Sequence, residues 1–286
     1  VPSDKRVRQQ TNKHRMDQLR REQTQRRRRQ RFFLGGAIAA VVIVLIAVLT
    51  AVLSGGSPKK SASGTTTTSS ASTTSTSAPT STTAPPVSVP LVAAPAKVGC
   101  PDLNGSSKHY TRFSAAPPMC INPAKDYTAH MVTDAGTITI KLQAAQNPTT
   151  VNNFVFLAGY HFFDGTAFHR VCIAFINQGG DPTGTGTGGP GYSFNGGAPK
   201  SSSVYTAGAL AMANSGSPSS DGSQFFFVVG TGGKELSANY SYFGQVVGGM
   251  SVVDKINADG TSPAATNDNC PPKVVHKIKT VTITES

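Results

Sequence analysis

Hydrophobic and polar positions divide the 286 residues into blocks of different character. Phe32 to Leu53 carries no charged residue and is dominated by Ala, Val, Ile and Leu, enough to cross a hydrocarbon core about 30 Å thick. Residues 54–97 turn to Ser, Thr, Pro and Ala. From Thr128 to Leu142, β-branched residues alternate with polar ones around Ala135-Gly136, which predicts a hairpin. Asn147-Pro148 then opens a helix, with Asn as N-cap and Pro at the first helical position. Val151, Phe154, Val155 and Ala158 give it one apolar face with Leu157 at the edge, and Gly159 marks its end. Short strands are predicted near 168–178, 207–213, 224–229 and 241–247. A second helix runs from Met250 to Ile256 by the spacing of Val252, Val253 and Ile256, and a last strand from Val274 to Ile283. Many short strands with Gly-rich turns and two helices suggest a closed antiparallel barrel, although the pattern by itself gives only a mostly-β class.

Charge changes the picture of the first third. Val1 to Arg31 holds 12 Lys/Arg and 3 Asp/Glu, and Lys59, Lys60 and Lys97 are the remaining excess. From residue 98 onward 11 basic residues balance 11 acidic ones, so the net charge of +12 belongs to the N-terminal third. A run such as Arg26-Arg27-Arg28-Arg29 can neutralise phosphates. Placed directly before an apolar span, it reads instead as the signal that holds that end in the cytoplasm. The expectation is a basic cytoplasmic tail (1–31), a single uncleaved transmembrane signal anchor (32–53) and no nucleic-acid partner. A cleavable signal peptide has a shorter apolar region and a small-residue cleavage site, which Leu53-Ser54-Gly55-Gly56 matches poorly. The 54–97 linker buries too little apolar surface to offset chain entropy and is expected to be a disordered stalk outside the membrane. Residues 98–127 form a lead-in, and 128–286 the folded domain.

Four cysteines, Cys100, Cys120, Cys172 and Cys270, allow three pairings in a compartment that permits disulfides. Proximity in the chain favours Cys100–Cys120, leaving Cys172 either paired with Cys270 or a buried thiol. Cys172 with His169 makes a poor nucleophile–base pair, because residues three apart on an extended segment face opposite ways. Gly184 to Gly189 fits G-x-G-x-x-G, but Pro190-Gly191 follows where a dinucleotide site needs a helix. His161 and His169 have no further ligands at zinc-like spacing, so no metal is expected.

The stretch from Phe168 to Phe226 carries the chemistry. It contains Phe168-His169-Arg170-Val171, then Phe175-Ile176-Asn177-Gln178-Gly179-Gly180-Asp181, Gly186-Thr187-Gly188-Gly189, Met212-Ala213-Asn214 and Gly222-Ser223-Gln224-Phe225-Phe226. Five such pieces in this order and near this spacing resemble the cyclophilins, a family of peptidyl-prolyl cis/trans isomerases. The resemblance covers roughly residues 128 to 286. It implies an eight-stranded antiparallel barrel with a helix over each open end, no cofactor, a monomer, and proline-containing peptides of unfolded or secreted proteins as substrates.

By the same resemblance Arg170, Phe175 and Gln178 are catalytic. Phe175, Ile176, Phe226 and Leu236 form the pocket for the proline ring, while Ala213, Asn214 and Gln224 hold the peptide. Arginine among apolar residues is usually a surface charge with a packed stem. Here it is one of only two arginines after residue 98, the other being Arg112. Tyr240 stands where many members carry a histidine, and a phenol also donates a hydrogen bond. Two departures stand out. Glu235 replaces a tryptophan that contacts the inhibitor cyclosporin, and the chain has no Trp at all. The loop from Asn214 to Gly222 is one residue longer than the common pattern. The expectation is a membrane-anchored, extracytoplasmic isomerase; the alternative is a proline-peptide binding module without catalysis.

Overall fold

The computed structural model describes residues 86–262 and 269–286. The basic tail, the apolar span 32–53 and most of the 54–97 linker lie outside the described residues. Among those described, no helix is long and apolar enough to cross a membrane.

The predicted hairpin is β1 (Tyr127–Thr133) and β2 (Thr137–Leu142). Helix α1 (Pro148–Gly159) begins where Asn147 accepts a side-chain bond from the Thr150 N–H. The segment read as one strand near 168–178 is instead two strands, β3 (Arg170–Cys172) and β4 (Ile176–Gly179). Between them Ala174 turns the chain at a φ of 58°. Strands β5 (Ala209–Met212), β6 (Phe225–Val228), β7 (Tyr242–Gly248), helix α2 (Met250–Ala258) and β8 (Ile278–Glu285) follow.

The eight strands form one antiparallel sheet in the order β3-β4-β6-β5-β7-β2-β1-β8. Its two edges meet beside β3, where the Phe168 N–H donates to the His276 carbonyl at 2.9 Å and the Ile278 N–H to the Thr166 carbonyl at 2.8 Å. Helix α1 packs on β7 and β8, and α2 on β2, β3 and β4. The inner face is aromatic: Phe154, Phe163, Phe225, Phe227 and Phe243 are all at most 1 % exposed. Phe154 stacks on Phe163 with ring centres 5.0 Å apart.

The lead-in is part of this domain. Helix α1 is buried over its whole length from Thr150 to Gly159, not on one face only. Residues 98–121 cover the other side: Phe113 packs on Phe156 with ring centres 5.0 Å apart, and Tyr110 on Tyr160 at 5.6 Å. The Asn152 side chain accepts from the Cys120 N–H and donates to the Pro118 carbonyl. A Cys100–Cys120 disulfide closes this segment, and a second bridge joins Cys172 to Cys270. The described end of the linker, residues 86–97, also lies on the domain rather than forming free stalk. The Val89 N–H donates to the Pro182 carbonyl at 2.8 Å, and Ala93 bridges to Arg112.

Candidate active site

The site is built by strand register. In an antiparallel ladder, residues directly opposite each other project from the same face. Arg170 of β3 pairs with Gln178 of β4, Gln178 with Phe226 of β6, and Phe226 with Ala211 of β5. This row therefore stands on one face. The next row down, Cys172, Ile176 and Val228, shares that face. Alternation explains the Phe225-Phe226-Phe227 run: Phe225 and Phe227 fill the interior, while Phe226 joins a smaller cluster with Ile176, Ala211 and Val228 outside it.

The turn between β3 and β4 presents Phe175. Its positive-φ Ala174 is held by the buried Asn257 of α2, which accepts from the Ala174 N–H at 2.8 Å and donates to the Cys172 carbonyl at 2.9 Å. Phe175 then lies beside the Arg170 guanidinium, 6.0 Å from carbon to ring centre, within the range where a ring face attracts a cation.

Arg170, Phe175, Ile176, Gln178, Ala213, Asn214, Phe226, Leu236 and Tyr240 line one cavity of about 290 Å³. Of the site residues expected from sequence, only Gln224 lies outside it. Glu235 is also in its wall. The Tyr240 ring meets Phe226 edge-on at 5.3 Å, and the Tyr205 hydroxyl pins its backbone, donating to the Tyr240 carbonyl at 2.6 Å. The floor is apolar and aromatic and the rim carries one guanidinium, the amides of Gln178 and Asn214 and the Glu235 carboxylate, a composition suited to a small ring below and a peptide backbone above.

Gln224 lies one step further along the polar rim. The Arg170 guanidinium donates to Gln178 Oε1 at 3.1 Å, and Gln178 Nε2 to Gln224 Oε1 at 2.9 Å. Gln224 Nε2 in turn donates to the carbonyls of Gly186 and Gly188 at 3.0 and 2.9 Å. The glycine loop that supplies those carbonyls winds around the buried Asp181. Its carboxylate accepts the N–H groups of Thr183, Thr185, Gly186 and Gly188. Burial alone would push this carboxyl up, but those donors outweigh it and hold it below the ordinary value. A side chain at Gly188 would stand 2.0 Å from the carboxylate, which is why glycine is required there. A second cavity, about 450 Å³, runs from this loop to Ala213 and Asn214.

Sequence reasoning gave Asp221 no role. It is fully buried and accepts from the Ser241 hydroxyl at 2.5 Å and from Asn214 Nδ2 at 3.2 Å. Burial raises its carboxyl to about 6. His169 does not line the cavity that holds Phe226 and Tyr240, and burial lowers its basicity. Among the described residues, no three His, Cys, Asp or Glu side chains gather as a metal site.

The family model described as "Cyclophilin type peptidyl-prolyl cis-trans isomerase/CLD" matches residues 128–283. Peptidyl-prolyl cis-trans isomerase B of Streptomyces anulatus is 40% identical over 157 residues, covering 49% of this chain and 89% of that protein. The probable peptidyl-prolyl cis-trans isomerase B of Mycobacterium leprae is 39% identical over 160 residues, covering 51% of this chain and 52% of that one; this chain thus spans only about half of that relative. A crystal structure of a Cryptosporidium parvum cyclophilin type isomerase aligns with 56% of this chain and 99% of its own, at 28% identity and a TM-score of 0.49.

Proposed function

From the premise that the chain belongs to the cyclophilin-type peptidyl-prolyl cis-trans isomerases, we propose that it rotates X–Pro bonds of extracytoplasmic proteins by non-covalent stabilisation of the twisted amide. Amide resonance sets a rotation barrier of about 18–20 kcal/mol, and uncatalysed exchange takes roughly tens of seconds or longer. No bond has to form. The enzyme needs only to bind the twisted amide better than either planar form. In the twisted state the proline nitrogen regains a lone pair. A guanidinium donor aimed at that nitrogen stabilises it and opposes the return of resonance.

Arg170 has that role, with Gln178 orienting it. Phe175, Ile176, Phe226 and Leu236 hold the proline ring, and Ala213, Asn214, Gln224 and Tyr240 hold the flanking backbone. The observation that carries the reading is the position of Arg170, held by Gln178 at the rim of the cavity that Phe226 and Phe175 floor. A binding module needs the floor but not the arginine. The test is cis/trans exchange in a short Ala-Pro peptide, followed by NMR for the wild type and Arg170→Ala. Acceleration lost in the variant supports the reading; a peptide that binds without faster exchange overturns it.

The same proposal places the chain in a membrane through residues 32–53, with the tail 1–31 inside and the domain outside. Two features support it: the uncharged apolar span after an arginine cluster, and the pairing of all four cysteines, which suits an oxidising compartment.

A further inference from the structure

Resting on the isomerase reading, we propose that the end of the Ser/Thr/Pro-rich segment builds a further substrate pocket beside Arg170, which takes a bulky apolar side chain flanking the proline. A cavity of about 360 Å³ shares Arg170 and Gln178 with the proline cavity, and Gly186 with the glycine-loop cavity. It lies in the volume range of ligand pockets. A peptide whose proline amide sits at Arg170 must leave that point along its own backbone, and this cavity adjoins it.

The walls state the occupant. Pro86, Val87, Ala167, Pro271, Pro272 and Val275 are apolar. Among the described lining residues Arg170 carries the one full charge, and burial disfavours the charged form of the His169 ring. Among the described residues, no carboxylate lines the cavity to receive a lysine or arginine. An apolar side chain removes water from both surfaces at no such cost.

The walls are also held in place. On one side the Val89 N–H bonds Pro182, and the Pro90 carbonyl accepts from the Thr111 hydroxyl at 2.8 Å. Gly184 packs so closely on the Val87 backbone that a side chain there would stand 2.2 Å from the Val87 oxygen. On the other side the Cys172–Cys270 bridge and the Val171 N–H bond to the Cys270 carbonyl fix the stretch that carries Pro271 and Pro272. Pro86 and Val87 lie outside the 128–283 family match. The wall they form is an addition to the isomerase domain.

The experiment uses the full chain in detergent and X–Pro peptides that differ only by Leu or Lys at each of the two positions on either side of the X–Pro pair. We expect kcat/KM to favour Leu about tenfold at one of these positions. Filling the cavity from either wall, with Val87→Trp or Val275→Trp, should bring that ratio close to one. Both positions are only half-buried, and the Val87 contact to Gly184 is made by backbone. No Leu preference in the wild type, or an unchanged ratio in both variants, overturns the proposal. Dissociation constants for the same peptides, from NMR titration, read the same ratio without catalysis. A Leu preference in binding with no acceleration therefore removes the isomerase reading and leaves the pocket standing.

Discussion

Arg170 and Gln178 face each other across adjacent strands, and the guanidinium donates to the amide oxygen at 3.1 Å. A guanidinium only donates and a backbone carbonyl only accepts. Between Arg170 at one end and the Gly186 and Gly188 carbonyls at the other, the amides of Gln178 and Gln224 can therefore point only one way. Gln178→Glu replaces the donor of this relay with a second acceptor. If Gln224 turns to face it, its own oxygen meets the loop carbonyls. We predict that Gln178→Glu lowers kcat/KM on an Ala-Pro peptide by at least about tenfold, despite the stronger charge pairing with Arg170. An activity near wild type in the exchange assay would show that the relay does not orient Arg170.

Removing the arginine itself should cost more. Loss of one well-aimed donor at a developing charge typically lowers rates about 10²–10³-fold. Arg170→Ala is therefore predicted to fall in that range in kcat. Arg170→Lys should recover little, because an ammonium cannot reproduce the planar fork that reaches Gln178 and the substrate together. Single-peptide exchange rates under saturating substrate separate this effect from weakened binding.

Asp221 predicts a pH dependence. Its folded value, about 6, lies above the ordinary 3.8 because burial disfavours the charged carboxylate. Between these values the native state holds a proton that the unfolded chain has released. This contribution to stability is full below about pH 4 and is lost as pH rises through about 6. Asp221→Asn cannot titrate, so the stability gap between it and the wild type should move in the variant's favour over that window. Asn214 donates to Asp221 and lines the proline cavity. KM for the peptide should therefore change near pH 6 in the wild type and stay flat in the variant. Tyr205 also senses the Asp221 charge, but burial raises it further out of this range. Urea melts and KM profiles from pH 4 to 8 on both proteins check the prediction.

How much of this was legible in the sequence follows from the range of the interactions involved. The strand near 224–229 and the Asn147-Pro148 helix start are local, and both appear as read. The split between β3 and β4 was missed because Ile173-Ala174-Phe175 contains no Gly, Pro or Asn to mark a turn. The left-handed Ala174 is held by Asn257, which lies 83 residues away in sequence. Helix α1 reads as one-sided because Phe156 and Tyr160 break the apolar face; their partners, Phe113 and Tyr110, come from a segment without periodicity. The candidate site residues were named through a motif that records their spacing, and all but Gln224 line one cavity. Asp221 stood in the same stretch, but nothing in its neighbours indicated that it would be buried beneath Asn214.

The two disulfides should differ in worth. Chain entropy makes a bridge more stabilising as the loop it closes grows, by about 3 kcal/mol for 15 residues and about 4.7 for 100. Cys172–Cys270 spans 98 positions and Cys100–Cys120 spans 20. Cys172→Ser/Cys270→Ser is predicted to lower the denaturant midpoint more than Cys100→Ser/Cys120→Ser. It should also slow isomerisation, because Cys172 lies two residues from Arg170 on the same strand face. Equal losses in both double variants, with catalysis unaffected, would refute this ranking.

Glu235 in the wall of the proline cavity sets the last prediction. The inhibitor cyclosporin is an apolar cyclic peptide, and the cyclophilin resemblance places an aromatic ring at this position. An indole there offers a large apolar face together with one N–H donor. A carboxylate offers neither, and must give up water when an apolar ligand covers it. Wild-type affinity for cyclosporin is therefore expected to be weak, and Glu235→Trp should strengthen it by at least about tenfold, a gain of roughly 1.4 kcal/mol. Exchange of a short Ala-Pro peptide should change far less, because Phe175, Ile176, Phe226 and Leu236, the residues proposed to hold the proline ring, are untouched by the substitution. Inhibition curves for the two proteins decide the matter. Tight inhibition of the wild type would mean that Glu235 swings clear of the ligand and that Leu236 and Tyr240 alone supply the contact.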